Sequence, residues 1–513
     1  MPTNRYIDTR GRNGEPIEFT EAIVKGLADG GGLFVPERLP HFELEEILAF
    51  AGMPYYARAA AVYSAFEPDM SASQVEELMR KTYGDRFDTP EIAPITSLSN
   101  DMHVLELWHG PTSAFKDMAL QCLPNFFSAS AKKLKEEGKI DTDFLILVAT
   151  SGDTGKGALE GFRDAEGIKI AVLYPEGGVS DIQYKQMATQ RGENVMVWAV
   201  RGNFDDCQTG VKTVFSDGEF AKKLAVSEKV ALSSANSINW GRLLPQVVYY
   251  VSSYASMVAA GKVAAGDPID VCVPTGNFGN ILAAWYARQI GTPIERFVCA
   301  SNDNHVLTDF INTGEYDIRG REFILTASPS MDILVSSNVE RQVFELSGRN
   351  TELVDEWMRS LKQEGHFELD ASTKEKLQRD YAAGYVGNAE ALATIKEVFE
   401  SEGYLIDPHT AVAMKVAQNH KGSNPMLVAS TAHWAKFGVN VYRALHGIAA
   451  SDDLPDEVAK LTDCQLNELI ADETGVHNIP AGLAELDGLP IRFTKVIDGD
   501  VAAIEGAVEE FLS

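Results

Sequence analysis

Four runs of β-branched and aliphatic residues, Phe144 to Ala149, Ile168 to Leu173, Val195 to Val200 and Ile269 to Val273, each lead into a turn and then a helical pattern. The runs are apolar at nearly every position rather than at alternate ones, so both faces of each strand must be buried. Strands of that kind, joined through helices, form parallel sheets covered by helices on both faces. The fold class expected is therefore α/β. In such sheets ligands bind beyond the carboxyl ends of the strands, in the loops that open the next helix. At 513 residues the chain exceeds what one core supports. The expected division is a mixed, mainly helical N-terminal domain over 1–95, with an amphipathic helix from Ser73 to Tyr83, and a large α/β domain over 96–135 and 236–447. A small α/β domain over 136–235 and an acidic extension over 448–513, packed on the outside, complete it.

Charge narrows the partners. With 74 acidic against 45 basic residues the net charge is -29, which repels nucleic acid and anionic membranes. Any anionic substrate must then be captured by local groups. The five cysteines form no C-x-x-C pair and are odd in number, which suits reduced thiols in the cytoplasm. No apolar signal core opens the chain, no run approaches membrane-spanning length, and no set of metal ligands is expected.

The string His109-Gly-Pro-Thr-Ser-Ala-Phe-Lys-Asp117 sets one lysine, Lys116, after a turn-rich segment and before an apolar helical run. A lysine held there by its neighbours can keep its amine neutral and aimed, as covalent capture of an aldehyde cofactor requires. Taken alone a lysine is more often a solvated surface charge. The whole string, however, resembles the pyridoxal-phosphate lysine segment of threonine synthases, and its Ser-x-Lys-Asp core resembles the wider tryptophan-synthase-like family.

Val271-Cys-Val-Pro-Thr-Gly-Asn-Phe-Gly-Asn280 runs from a strand through a glycine turn into a helix over Ile281 to Ile290, stopped by Gly291 and Pro293. Successive free amides at a helix start bind an anion, and Gly276 and Gly279 allow close approach. The alternative is a structural turn. The string resembles the threonine synthase loop for the cofactor 5′-phosphate, which implies Gly276, Asn277, Phe278, Gly279 and Asn280 as its contacts. Ala149-Thr-Ser-Gly-Asp-Thr-Gly-Lys156 lacks the Gly-Lys-Ser/Thr ending of a P-loop. It resembles the substrate loop that cysteine synthases and threonine dehydratases write with asparagine at the position of Asp153. The resemblance implies that Ser151, Gly152, Asp153 and Thr154 receive the carboxylate of an amino-acid substrate, while the Asp153 side chain suits either the cofactor ring or the substrate ammonium.

Ser430-Thr-Ala-His-Trp-Ala-Lys-Phe437 follows the apolar strand Met426 to Ala429. The family pairs a hydroxyl here with the cofactor's ring nitrogen, which implies Thr431; the chain departs from the family at Trp434, where proline is usual, and His433 and Lys436 carry no assigned role. A helix cap is the competing use of Ser-Thr after a strand. Ser237-Ile-Asn-Trp-Gly-Arg-Leu-Leu-Pro-Gln246 also resembles a threonine synthase signature. There Arg242 offers a planar fork for the substrate phosphate, and Asn239 a neutral donor. Phe115 packs against the cofactor or the lysine stem.

These strings stand in family order, with Tyr6-Ile-Asp-Thr-Arg-Gly11 and Gly202-Asn-Phe-Asp-Asp-Cys-Gln208 as further matches given no part in the chemistry. The resemblance implies a tryptophan synthase β-like fold, pyridoxal 5'-phosphate as cofactor with Lys116 as the catalytic residue, and a monomer or homodimer. It implies conversion of O-phospho-L-homoserine and water to L-threonine and phosphate. The alternatives are a serine/threonine dehydratase, a threonine-synthase-like phospho-lyase, or a catalytically silent binding protein. Lys116 retained beside both glycine loops argues against the last.

Overall fold

The computed structural model describes residues 3–150 and 152–513. Ile269–Pro274 and Met426–Ser430 are buried at every position, as strands flanked by helices on two faces must be. They are the centre of a six-stranded sheet ordered Tyr381–Tyr385, Ile294–Ser301, Ile269–Pro274, Met426–Ser430, Met102–Glu106, Ile95–Ser97. The pairing is parallel except at the edge strand Ile95–Ser97, which returns antiparallel on Met102–Glu106. A second sheet of five strands, all parallel, is ordered Val496–Asp498, Val195–Arg201, Ile168–Pro175, Asp143–Ala149, Val230–Ser233. The α/β class and the strands read from apolar runs are thus as expected, with ends displaced by a residue or two.

The N-terminal domain pairs Tyr6–Asp8 with Phe34–Pro36 and adds four helices, Phe19–Lys25, Leu44–Ala49, Tyr55–Ala65 and Ala72–Tyr83. The last of these starts on a capping box in which Ser71 Oγ accepts from the Gln74 amide. Helix Trp240–Ala259 is buried along nearly its whole length. A helix that is apolar all round must be covered all round. Its neighbours include Leu44–Ala49 and Tyr55–Ala65 on the N-terminal side of the chain and Gly279–Gln289 after the central strand Ile269–Pro274. The helix that the string 237–246 opens therefore lies between these segments.

The small sheet is brought against the Lys116 segment by one close contact. Helix Asp153–Phe162 packs on the short helix Asp117–Leu120 through Gly157 and Gly161, four residues apart on one face. A Cβ at Gly157 would stand 2.8 Å from Leu120 Cδ1, and one at Gly161 only 1.8 Å from the Leu120 carbonyl oxygen. Only glycine fits.

The C-terminal segment supplies the edge strand Val496–Asp498, parallel to Val195–Arg201, and helix Val501–Leu512, which packs on Phe204–Ser216. Ile504, Val508 and Leu512 join Trp198, Val200 and Val211 in one apolar cluster. The outer face of the small sheet is therefore unfinished without residues from the far end of the chain. A strand of three residues in an acidic context has too little period to be read beforehand. Among the described residues no helix is long and apolar enough to cross a membrane, and all five cysteines are buried and free.

Gly161→Ala should lower stability by about 1–3 kcal/mol or more, because the added carbon meets backbone that cannot rotate away. Urea unfolding followed by circular dichroism measures this, and an unchanged midpoint would refute the contact.

Candidate active site

Lys116 closes the loop that follows strand Met102–Glu106. Three interactions hold that loop to the segment after strand Met426–Ser430. The Phe115 amide donates to Thr431 O at 2.8 Å, the His433 amide donates to Ser113 O at 3.1 Å, and Ala114 bridges Ala432. From below, the buried Asp117 carboxylate accepts from the Thr112 amide at 2.7 Å and its hydroxyl at 2.8 Å. Burial pushes the Asp117 carboxyl up to about 6, while its Thr112 hydrogen bonds and Lys436 pull the other way. Gly110 is required here, since a Cβ would lie 2.4 Å from that of Asp117. Phe115 is half-buried and packs on the main core.

The Lys116 ammonium has no ion-pair or hydrogen-bond partner among the described residues. Burial lowers its pKa to about 8, Arg242 and Lys436 add to the fall, and Asp153 opposes it. Its amine is thus neutral over a far larger part of the physiological range than a solvated lysine.

Asp153, the first residue of helix Asp153–Phe162, faces this lysine. Its Oδ1 lies 2.8 Å from Lys436 Nζ and accepts from Gln183 Nε2 at 3.1 Å, while Oδ2 accepts from Ser330 Oγ at 3.4 Å. Burial alone would raise the Asp153 carboxyl, but Lys436 and Lys116 together hold it well below the carboxylate range. Gly152 takes φ 141°, and a Cβ there would overlap Gln183 Nε2 at 2.3 Å. Its glycine is dictated by Gln183. Thr154 is half-buried in the first helical turn, and Ser151 lies outside the described residues.

The loop Gly276–Asn280 has the form of an anion cradle. Its carbonyls are held from behind: Ser336 Oγ donates to Gly276 O at 2.8 Å, and the Asn338 amide and Nδ2 both donate to Asn277 O at 3.1 Å. The amides of residues 276–280 find no acceptor among the described residues. Phe278 adopts left-handed φ 62° and caps helix Gly279–Gln289, which turns consecutive N–H groups to one side. The buried Asn280 accepts from the Tyr250 hydroxyl, and its Nδ2 has no partner. Gly276 is demanded by the strap Pro329–Met331, because a Cβ would lie 2.7 Å from Ser330 O. Gly279 has room, with the nearest atom to a Cβ at 3.4 Å.

Arg242 is buried; one nitrogen donates to Ala235 O at 2.6 Å, and its Nε has no partner. Burial pushes the guanidinium down to about 10, and no carboxylate pairs with it among the described residues. Asn239 is committed differently from the expected donor role. It caps the helix through Oδ1 to the Gly241 amide at 2.9 Å and donates to Ile23 O at 2.8 Å. Thr431 is buried with its hydroxyl free of partners among the described residues, beside the Lys116 loop to which its carbonyl is bonded.

The structure thus draws Lys116 into the fields of Asp153, Arg242 and Lys436 and sets Thr431 and Gly276–Asn280 on loops at strand ends of one sheet. Three contributors carried no assignment in the sequence: Lys436, Gln183 and the relay Asp407–His409–Ser330. In that relay His409 Nδ1 lies 2.6 Å from Asp407 Oδ2, and Nε2 accepts from the Ser330 amide at 3.1 Å. Only Lys436 stood inside a recognisable string; the others come from segments with no motif.

A lysine of depressed pKa between doubly covered parallel sheets, an amide cradle at a helix start and a hydroxyl past the central strand together define a pyridoxal-phosphate enzyme. The chain matches the family models "Threonine synthase N terminus" over residues 5–83, "Pyridoxal-phosphate dependent enzyme" over 96–428 and "Threonine synthase, C-terminal" over 410–468. It is 39% identical over 471 residues to the threonine synthase of Schizosaccharomyces pombe, covering 86% of this chain and 89% of that one. It is 44% identical to human Threonine synthase-like 1 over 436 residues, 83% of this chain but only 58% of the human protein's length. The crystal structure of pyridoxal-phosphate-bound threonine synthase from Brucella melitensis superposes with TM-score 0.85 at 36% identity, covering 99% of both chains. The chain belongs to the threonine synthase family of pyridoxal-phosphate-dependent enzymes.

The residues present fit that cofactor: a neutral-prone lysine, free amides and an unpartnered Asn280 Nδ2 for its phosphate, and the Thr431 hydroxyl for its ring. At pH 7 a pKa of about 8 leaves roughly 300-fold more neutral amine than an ordinary lysine holds. Covalent loading of cofactor-free protein should therefore rise with pH up to about 8 and level off above it, read as borohydride-fixed label on the Lys116 peptide. Lys116→Ala should abolish the label, and label on another lysine would refute the assignment. Gly279→Asp should cut cofactor affinity by about a hundredfold or more by setting a carboxylate against the phosphate. The melting temperature of its cofactor-free form should change little, since a Cβ there meets nothing nearer than 3.4 Å.

Proposed function

We propose that this chain converts O-phospho-L-homoserine and water into L-threonine and phosphate. The observation that carries the reading is Arg242, a buried guanidinium with a free Nε and no carboxylate partner among the described residues. Leaving such a cation unpaired is costly unless a ligand supplies the anion. Lys116 stands in its field, and the two leave cationic charge beyond the Lys436–Asp153 ion pair inside a protein of net charge -29. A substrate carrying a carboxylate at one end and a phosphate dianion at the other matches that excess.

In this reading the cofactor supplies the electron sink that lets protons leave the substrate carbons. Lys116 would hold it covalently and, once the substrate amine had taken its place, would move protons at Cα, Cβ and Cγ. Thr431 would offer the ring nitrogen a neutral hydroxyl, which would leave the sink weaker than an acid would make it. The start of helix Asp153–Phe162 receives the carboxylate and Arg242 grips the phosphate that leaves Cγ, after which water adds at Cβ. Five buried free thiols suit a reducing cytoplasm as the place of action.

The second reading is a threonine-synthase-like phospho-lyase; the relatives named Threonine synthase-like 1 are 43–44% identical to this chain. Products separate the readings. Phosphate and threonine should appear in equal amounts from O-phospho-L-homoserine; phosphate with ammonia and a keto acid would instead mean a phospho-lyase. Deamination of serine without phosphate release would mean a dehydratase. Arg242→Ala should lower kcat/KM about ten- to a hundredfold, the value of a charge-assisted contact, with cofactor absorbance unchanged.

A further inference from the structure

Lys436 is a buried cation that the proposed chemistry leaves without a part. Its side chain has no exposure, and Nζ lies 2.8 Å from Asp153 Oδ1 and donates to Thr112 O at 2.8 Å. Asp153 itself poses a difficulty. It opens the helix whose start is read as the carboxylate subsite, and an ionised side chain there would repel the group that the helix start should attract. Its other two partners, Gln183 and Ser330, are neutral and cannot offset the charge. The cysteine synthase and threonine dehydratase loops that this one resembles avoid the difficulty with asparagine, whereas yeast-like and enterobacterial threonine synthases carry the acid, as here. This chain keeps the acid and brings a lysine to it from the loop after the central strand Met426–Ser430.

We propose that Lys436 is a positioning residue that cancels the charge of Asp153 and so keeps the start of helix Asp153–Phe162 an acceptor for the substrate carboxylate. The inference rests on the carboxylate subsite of the threonine synthase reading. Electrically the pair equals one neutral side chain. Mechanically it does more, because the same ammonium anchors Thr112, four residues before Lys116, and Gln186 Nε2 also donates to that Thr112 oxygen at 3.4 Å. Substrate loop and lysine loop are thereby held in register by one charge.

The test uses holoenzyme carrying Lys436→Gln, Asp153→Asn or both, titrated with L-homoserine, which has the carboxylate and no phosphate, and followed by cofactor absorbance. Lys436→Gln should weaken binding at least thirtyfold by leaving Asp153 uncompensated. Asp153→Asn should bind as well as wild type or more tightly, and the double variant within about threefold of wild type. With O-phospho-L-homoserine the Lys436→Gln loss should fall mainly in KM. A packing role would weaken both single variants and leave the double variant at least as weak as their product, and that pattern overturns the proposal. If Lys436→Gln fails to fold, Asp153→Asn binding more than threefold weaker than wild type overturns it alone. Phosphate release by wild type, assayed in parallel, judges the reaction separately: its absence refutes threonine synthase activity, while the order of L-homoserine affinities still judges the charge pair.

Discussion

Helix Asp153–Phe162 can lie against Leu120 only because Gly157 and Gly161 present bare backbone there, with the Leu120 carbonyl where a side chain at 161 would have to be. That contact carries the start of the helix, and with it Gly152 and Asp153, up to the Lys116 loop. On its other side the same loop is bonded to residues 431–433 by the Phe115 and His433 amides. The lysine is therefore clamped between two sheets, each contributing one loop at the carboxyl ends of its strands. Loosening either face would move the amine relative to both the acid and the amide cradle.

The clamp also decides the electrostatics. A chain of net charge -29 sets Arg242 and Lys436 beside Lys116, with Asp153 as the opposing charge. Away from water each unpaired cation is costly, which is why Lys116 falls to about 8 and Arg242 to about 10. The long-range field repels an anionic substrate and the short-range field holds it, so capture depends on buried donors rather than on steering. Asp117, pushed up to about 6 by burial, spends its hydrogen bonds on loop geometry.

Contiguous features were legible beforehand. The strands declared themselves through unbroken apolar runs, and Lys116, Gly276–Asn280 and Thr431 through strings in which chemistry and turn residues are neighbours. The reasons for particular glycines were less visible. Gly152 and Gly276 looked like ligand-facing positions, yet Gln183 and Ser330 are the groups that would collide with a side chain there. Asn239 read as a substrate donor and serves as a helix cap, a role the same residue type fills whenever a helix begins beside it. Trp434, the departure from the family's proline, is accommodated without disturbing Thr431, its indole N–H donating to Asn478 at 2.9 Å.

The amino-acid sequence by itself determined the fold class and marked the lysine and the glycine loop as candidates, because burial on two faces and a glycine turn opening a helix are properties of neighbouring residues. Only the tertiary structure decided that Val496–Asp498 completes the small sheet, that Lys436 pairs with Asp153, and that Asp407 and His409 hold Ser330 between the loops. Each of these joins residues far apart in the chain through an edge or a charge whose partner exists only once the sheets have formed, and local pattern carries no record of such a partner.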